Sequence, residues 1–234
     1  DNEVLAIIPT SQKNRKSVIA VTKSGLSIIN LGEMTLREKA KVQESFQEPR
    51  HNRHGLSTEV HLDIPGDLSS YHKAVGDNDG LWTSMSAMGA SYRYMATKDE
   101  AARESAWTMF EGLEQLSKLT GAYPKFTARS FSKLSDNDVG LPAEIDPECE
   151  SDCWYASTVD DAWWYKGDTS SDELCGHMAI YPMLYDHIAQ TDDEKSRVLA
   201  ILDGIMEGIV DNDLYFIQPA TGKRTTWGFW NPKE

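Results

Sequence analysis

Asp77-Asn78-Asp79-Gly80-Leu81-Trp82-Thr83 and Lys166-Gly167-Asp168-Thr169-Ser170-Ser171-Asp172-Glu173-Leu174 are two versions of one design. Each is an acidic loop that opens an amphipathic stretch. A shift of about 93 positions lays Asp79 on Asp172 and Leu81 on Leu174. The same shift carries Met85 to Met178, Met88 to Tyr181 and Tyr92 to Tyr185, then Met109 to Leu202 and Leu113 to Met206. An internal repeat is read before any local feature, because it bears on the whole fold. Here it predicts two helical hairpins, near 79–120 and 172–211, each with an acidic lip.

The periodicity within each copy is helical. Leu81, Met85, Met88, Tyr92 and Met95 alternate steps of four and three and are expected to form the buried face of a first helix. Ala102, Ala106, Met109, Leu113 and Leu116 do the same for a second, with Gly121 as its stop. Thr97-x-x-Glu100, Ser170-x-x-Glu173 and Thr191-x-x-Glu194 have the spacing of capping boxes, and Pro182 is expected to bend its helix. Residues 4–10 and 17–29 read as strands, the latter folding about Lys23-Ser24-Gly25. Thr35-x-x-Glu38 opens a charged helix that Pro49 closes. Leu214 to Trp230 reads as a hairpin turning near Ala220-Thr221-Gly222.

The chain has 234 residues and a formal net charge of -14. Phosphate binding needs a basic face, so nucleic acid is excluded as a partner. No apolar run approaches the roughly 20 residues of a membrane-spanning helix. The sequence opens in mid-strand, which suggests a piece of a larger protein, with the rest of that chain as a partner. Cys149 and Cys153 are close enough for a local bridge, which would imply an oxidising compartment, while Cys175 stands apart.

Several stretches together resemble a family of large, mostly uncharacterised proteins. They are Met34-Thr35-Leu36-x-x-Lys39-Ala40, Arg50-His51-x-Arg53-x-Gly55, Asp77 to Thr83, Trp164-Tyr165-Lys166-Gly167-Asp168-Thr169-Ser170-Ser171-Asp172-Glu173 and Trp227-Gly228-x-Trp230-Asn231-Pro232. In that family a β-propeller like that of two-component regulators is followed by an (α/α) toroid of the six-hairpin glycosidase type. The resemblance runs from about residue 17 to the end. It implies a mainly α fold, part of an (α/α) toroid. Residues 1–33 would be a β-hairpin left from the propeller, 34–50 a linker helix and 51–234 a portion of the toroid. More hairpins would then lie beyond residue 234.

The toroid is shared by glycoside hydrolases and polysaccharide lyases, so the chemistry is carried over by fold analogy. Hydrolysis uses paired carboxylates, one as acid and one as base or nucleophile. Asp79 and Asp172, at matching rims, are the first candidates, with Asp77, Asp168 and Glu173 behind them. The plainer role for each is capping a helix start. A lyase acting on a uronate needs a base and a neutraliser, types that His177, Arg53, His54 and Arg129 supply; the plainer role of His177 is a packed, hydrogen-bonded core residue. Arg53 and His54, in the single basic cluster, Trp82, Trp164, Arg129 and Lys166 are the candidate contacts for a poly- or oligosaccharide. A third reading is a non-catalytic extracellular glycan-binding or structural module. No organic cofactor is indicated; Ca²⁺ would be a ligand for Asp136-Asn137-Asp138 or for Glu144 to Asp152, although neither has an EF-hand spacing.

Overall fold

The computed structural model describes residues 3–12 and 15–233. The chain divides into two compact units, Asp1–Phe46 and Gln47–Glu234.

In the first unit β1 (Val4–Gln12), β2 (Arg15–Thr22) and β3 (Gly25–Leu31) form an antiparallel meander in that order. The two-residue connection Lys23-Ser24 joins β2 to β3, with Thr22 opposite Gly25. Helix α1 (Leu36–Phe46) follows. Its capping box is complete: Glu38 N–H donates to Thr35 Oγ1 at 3.2 Å, and Thr35 N–H donates to Glu38 Oε2 at 2.7 Å. None of the described residues of this unit is buried, and Ile7, Ile28 and Leu31 are exposed. Among the described residues this unit holds one three-stranded sheet and no ring of blades. The propeller expectation is therefore corrected to a three-stranded meander. It rested on the family resemblance; the β-rich runs and the glycine turn by themselves ask only for a hairpin, which a meander contains.

The second unit opens with a π-helical turn, Gln47–His51, that contains Pro49. A short hairpin follows, β4 (Asn52–Arg53) and β5 (Leu56–Ser57), turning through His54 and Gly55 at φ 53° and 86°. Gly55 is required there twice over. Its φ is left-handed, and a Cβ would lie 2.7 Å from the Thr108 carbonyl oxygen of the helix behind it. Strands β6 (Val60–Leu62) and β7 (Tyr71–Lys73) pair antiparallel. The first repeated stretch then gives α2 (Asp79–Thr97) and α3 (Glu100–Lys118). β8 (Ser130–Lys133), β9 (Trp154–Ala156) and β10 (Trp163–Lys166) make a sheet in the order β8-β10-β9. The second repeated stretch gives α4 (Ser171–Met183), a π-helical turn at Leu184–Ile188 and α5 (Asp192–Val210). Pro182 withholds an N–H just before that widening. The hairpin β11 (Tyr215–Ile217) and β12 (Arg224–Phe229) closes the unit.

The architecture is mixed α and β, about 40% helix and 23% strand, so the mainly α expectation is corrected. Among the described residues there are five α-helices and five small sheets, not a ring of repeated hairpins, and the toroid resemblance falls with it. The physical reason is that two helix pairs read from a periodicity do not determine what the intervening segments build. The segments between α3 and α4 and after α5 form β-structure, which supplies Phe131, Tyr165 and Phe216 to the same core as the helices. Phe126 stacks on Phe216 with centroids 4.5 Å apart, and Phe110 meets Tyr181 edge-on.

The buried face of α2 also differs from the one its periodicity suggests. Asp79, Gly80, Thr83, Ser84, Ala87, Ala90 and Ser91 are inside. Trp82, Met85 and Tyr92 are exposed, and Leu81, Met88 and Met95 are only partly covered. Helix α2 lies against α4 with both starts side by side. A Cβ on Gly176 would lie 2.8 Å from Leu81 Cδ1 and 3.0 Å from its Cα. Only small residues allow that approach, so close packing overrides apolar size in choosing the inner face. The face expected for α3, by contrast, is the one buried. Its cap is Asp99, which accepts from Ala101 N–H, while Thr97 donates back to the Arg93 carbonyl.

Gly176→Ala is therefore expected to lower stability by about 1–3 kcal/mol through overpacking. Gly89→Ala, where an added Cβ meets nothing within 4 Å, should raise it by up to about 1 kcal/mol from helix propensity. Urea denaturation of the two variants checks both signs.

Candidate functional site

The repeated loops deliver their side chains to two places, one sealed and one open. In the sealed place, Asp79 begins α2 and is fully buried. Its Oδ2 accepts from Arg53 Nη2 at 2.8 Å, from Ser130 Oγ and from Gly76 N–H. Arg53 is 2% exposed and donates as well to the Phe131 carbonyl and to Asp138 at 3.1 Å. Its guanidinium is thus spent on the interior and is not displayed to a uronate. Burial pushes the Asp79 carboxyl up, against the opposing pull of Arg53 and Ser130.

Glu173 is the other sealed carboxylate. Ser170 caps α4 by accepting from Glu173 N–H, but the side chain of Glu173 does not close the box. It crosses to α2, where its Oε2 accepts from Leu81 N–H at 3.0 Å. The cap residue of α2 itself, Asn78, makes no side-chain capping bond. Glu173 therefore satisfies a free N–H of the neighbouring helix, in a space kept by Gly80, where a Cβ would sit 2.0 Å from Glu173 Oε1. His177, one turn on, is also fully buried, with Nε2 3.4 Å from Glu173 Oε1 and Nδ1 2.6 Å from the Tyr181 hydroxyl. Burial raises the Glu173 carboxyl, and the His177 bond and charge oppose it.

The open place is the rim. Arg129, 7% exposed, donates to the Asp77 and Asp168 carbonyls, to Asn78 Oδ1 and to Asp152 at 2.9 Å. Lys166, the last residue of β10, pairs with Asp77. Asp168 adopts φ 60° and is nearly buried; its Oδ1 accepts from Thr226 N–H at 2.5 Å and its Oδ2 from Asp152 N–H. Asp172 is exposed, and its carboxyl is held low by the Ser170 hydroxyl. Trp82 is 45% exposed on the first turn of α2. Trp164 lies half-buried in β10 opposite Ser132 and Ala156. His54 is apart from this rim, 2.5 Å from Asp136 and edge-on to Trp163. The two acids paired by the repeat thus have unlike surroundings, Asp79 interior and Asp172 in solvent.

Cys149 and Cys153 are bridged, with Cα atoms 5.7 Å apart, and Cys175 is free and exposed. The bridge pins a loop that forms one wall of a cleft of about 470 Å³. The opposite wall comes from the β11–β12 turn, and Tyr155, Asp168 and Gln218 line the space between. Tyr155 lies on Tyr165 at 5.5 Å, and burial pushes the Tyr165 phenol up to about 12. Burial and the Asp168 charge raise the Tyr155 phenol as well. A second cleft, about 480 Å³, lies beside His54, His72, Lys73 and Asp136. The sequence marked Asp168, and Asp152 only as the end of an acidic loop considered for Ca²⁺, but not Tyr155 or Gln218, which carry no motif; the signal within reach was the two cysteines flanking Asp152.

Three of the acidic residues considered for Ca²⁺ are engaged by partners within the protein. Asp136 meets His54, Asp138 meets Arg53 and Ser132, and Asp152 meets Arg129. Among the described residues, no group of three or more His, Cys, Asp or Glu gathers as a metal site. No helix among them is long and apolar enough to cross a membrane. No family model, curated protein or solved structure matches the chain.

The sealed network makes two predictions. Arg53→Ala leaves Asp79 buried without its cation and should cost about 3–5 kcal/mol, read by chemical denaturation. For Glu173 the pKa is raised in the folded state, so its contribution to stability is complete below the ordinary value of 4.5 and is lost as pH rises through the folded value. Glu173→Gln keeps an acceptor for Leu81 N–H and cannot ionise. The melting temperature of the variant should therefore gain on wild type as pH rises above 4.5, the ordinary value of the glutamate carboxyl.

Proposed function

We propose that residues 47–234 form a glycan-binding module of an extracellular protein, holding a saccharide in the cleft between the disulfide loop and the β11–β12 turn. The observation that carries this reading is the composition of that cleft. It joins an aromatic ring, Tyr155, to a fixed carboxylate, Asp168, and a cation, Lys223, within a volume suited to one or two sugar units. A sugar presents an apolar ring face and a fringe of hydroxyls, and this lining answers both. Asp168 is held by two backbone N–H groups, so it meets a hydroxyl without reorganising. The Cys149–Cys153 bridge is compatible with an oxidising compartment and supports the extracellular part of the reading.

Binding is favoured over hydrolysis because Asp79 and Glu173 are sealed from solvent and engaged in holding helices. A general acid must come within hydrogen-bond reach of the glycosidic oxygen. The test is calorimetry of the oxidised protein against neutral and acidic oligosaccharides, with reducing ends followed in parallel. The expected outcome is binding without release of new reducing ends. Tyr155→Ala should weaken it about tenfold, equivalent to about 1.4 kcal/mol. Appearance of new reducing ends, or binding indifferent to Tyr155, would overturn the reading.

A further inference from the structure

We propose that Gln218 sets the specificity of the cleft and selects a neutral sugar carrying two adjacent hydroxyls, an inference that rests on the glycan-binding reading above. The backbone of Gln218 is fixed at the start of the β11–β12 turn. Its N–H donates to the Lys223 carbonyl at 2.8 Å, and its carbonyl accepts from Thr221 and Gly222 N–H. The residue is 4% exposed. Its side-chain amide is held between fixed walls: a Cβ on Gly167 would lie 2.9 Å from both amide atoms and 2.7 Å from Tyr155 Cε2. Gly167 is what leaves room for the amide beside Tyr155.

Both Nε2 and Oε1 of Gln218 are buried and neither has a hydrogen-bond partner. The Tyr165 hydroxyl lies near enough for the Gln218 amide to oppose the rise that burial gives its phenol, but neither amide atom meets it in full hydrogen-bonding geometry. Buried polar groups are nearly always paired, because an unmet donor or acceptor forfeits its bonds to water. One amide that lacks both kinds of partner, on the lining of an open cleft, is the signature of a site that a ligand completes.

The chemistry of the missing partner follows from the amide. Gln presents one donor and one acceptor side by side. Its complement is an acceptor and a donor on neighbouring atoms, which two vicinal hydroxyls supply. A uronate carboxylate or a phosphate has acceptors only and would leave Oε1 unmet. The cleft sets the carboxylates of Glu148, Glu150 and Asp168 against the cations of Lys223 and Arg224, in a chain of net charge -14. The balance is acidic and disfavours a further anion.

The experiment follows the Gln218 side-chain NH₂ resonance by ¹⁵N NMR, assigned by its loss in Gln218→Leu, while cellotriose, mannotriose and trigalacturonate are added separately to the oxidised protein. The expected result is a shift with a neutral trisaccharide and none with trigalacturonate. Gln218→Leu should lose at least about tenfold in affinity for the neutral sugar. It should melt no lower than wild type, because it removes two unpaired polar atoms from the interior. A shift with trigalacturonate equal to that with the neutral sugars would overturn the inference. So would neutral-sugar binding that leaves the Gln218 resonance unmoved and survives Gln218→Leu, although glycan binding itself would then stand. Absence of binding by all three sugars would overturn both.

Discussion

A carboxylate borrowed from one helix to finish another holds this structure together. Glu173 sits where a capping box would fold it back on its own helix start. It reaches instead to Leu81 N–H of α2. Helix α2 has no side-chain cap of its own, so its start depends on α4 being in place. The two helices must then run close and in step. Gly80 and Gly176 are the residues that permit it, since a Cβ at either would meet the other helix below van der Waals distance. His177 and Tyr181 line up behind Glu173, one helical turn apart each, so the buried carboxylate ends in a chain of bonded groups.

The same economy governs the cations. In a chain with 37 acidic and 23 basic residues, the basic side chains of the site are claimed first by structure. Arg53 ties β4 to α2, β8 and Asp138. Arg129 and Lys166 tie the loop before α2 to the disulfide loop and to the loop before α4. These are the groups that make the two acidic lips converge, because like-charged loops would otherwise repel. What remains for a ligand is the cleft beside them, where Asp168 is oriented by the backbone and Gln218 is left with nothing to bond.

Much of the local structure was legible in the chain. Thr191 and Glu194 close the capping box that their spacing implies, and the apolar face of α3 is the one buried. The hairpin from Leu214 to Trp230 turns where its glycine predicts. The toroid and the propeller came from a family resemblance carried by short motifs, which local periodicity cannot check. Helix pairs recur in many architectures, and the segments 119–170 and 211–233 decide which one is built.

By itself, the sequence determined where α1 and α5 start and which face of α3 is buried, because capping chemistry and periodicity act over a few residues. It also determined that acids crowd the helix starts. Only the tertiary structure decided which of them face water. Asp79 and Asp172 are equivalent in the repeat, yet one is sealed by Arg53 and Ser130 and the other is exposed. The inner face of α2 was likewise decided by its neighbour: at the distance set by two glycines, Thr83, Ser84 and Ala87 fit, and Met85 does not. Burial and partnership are properties of what packs against a residue, and those neighbours come from far along the chain, 92 positions in the case of Leu81 and Glu173.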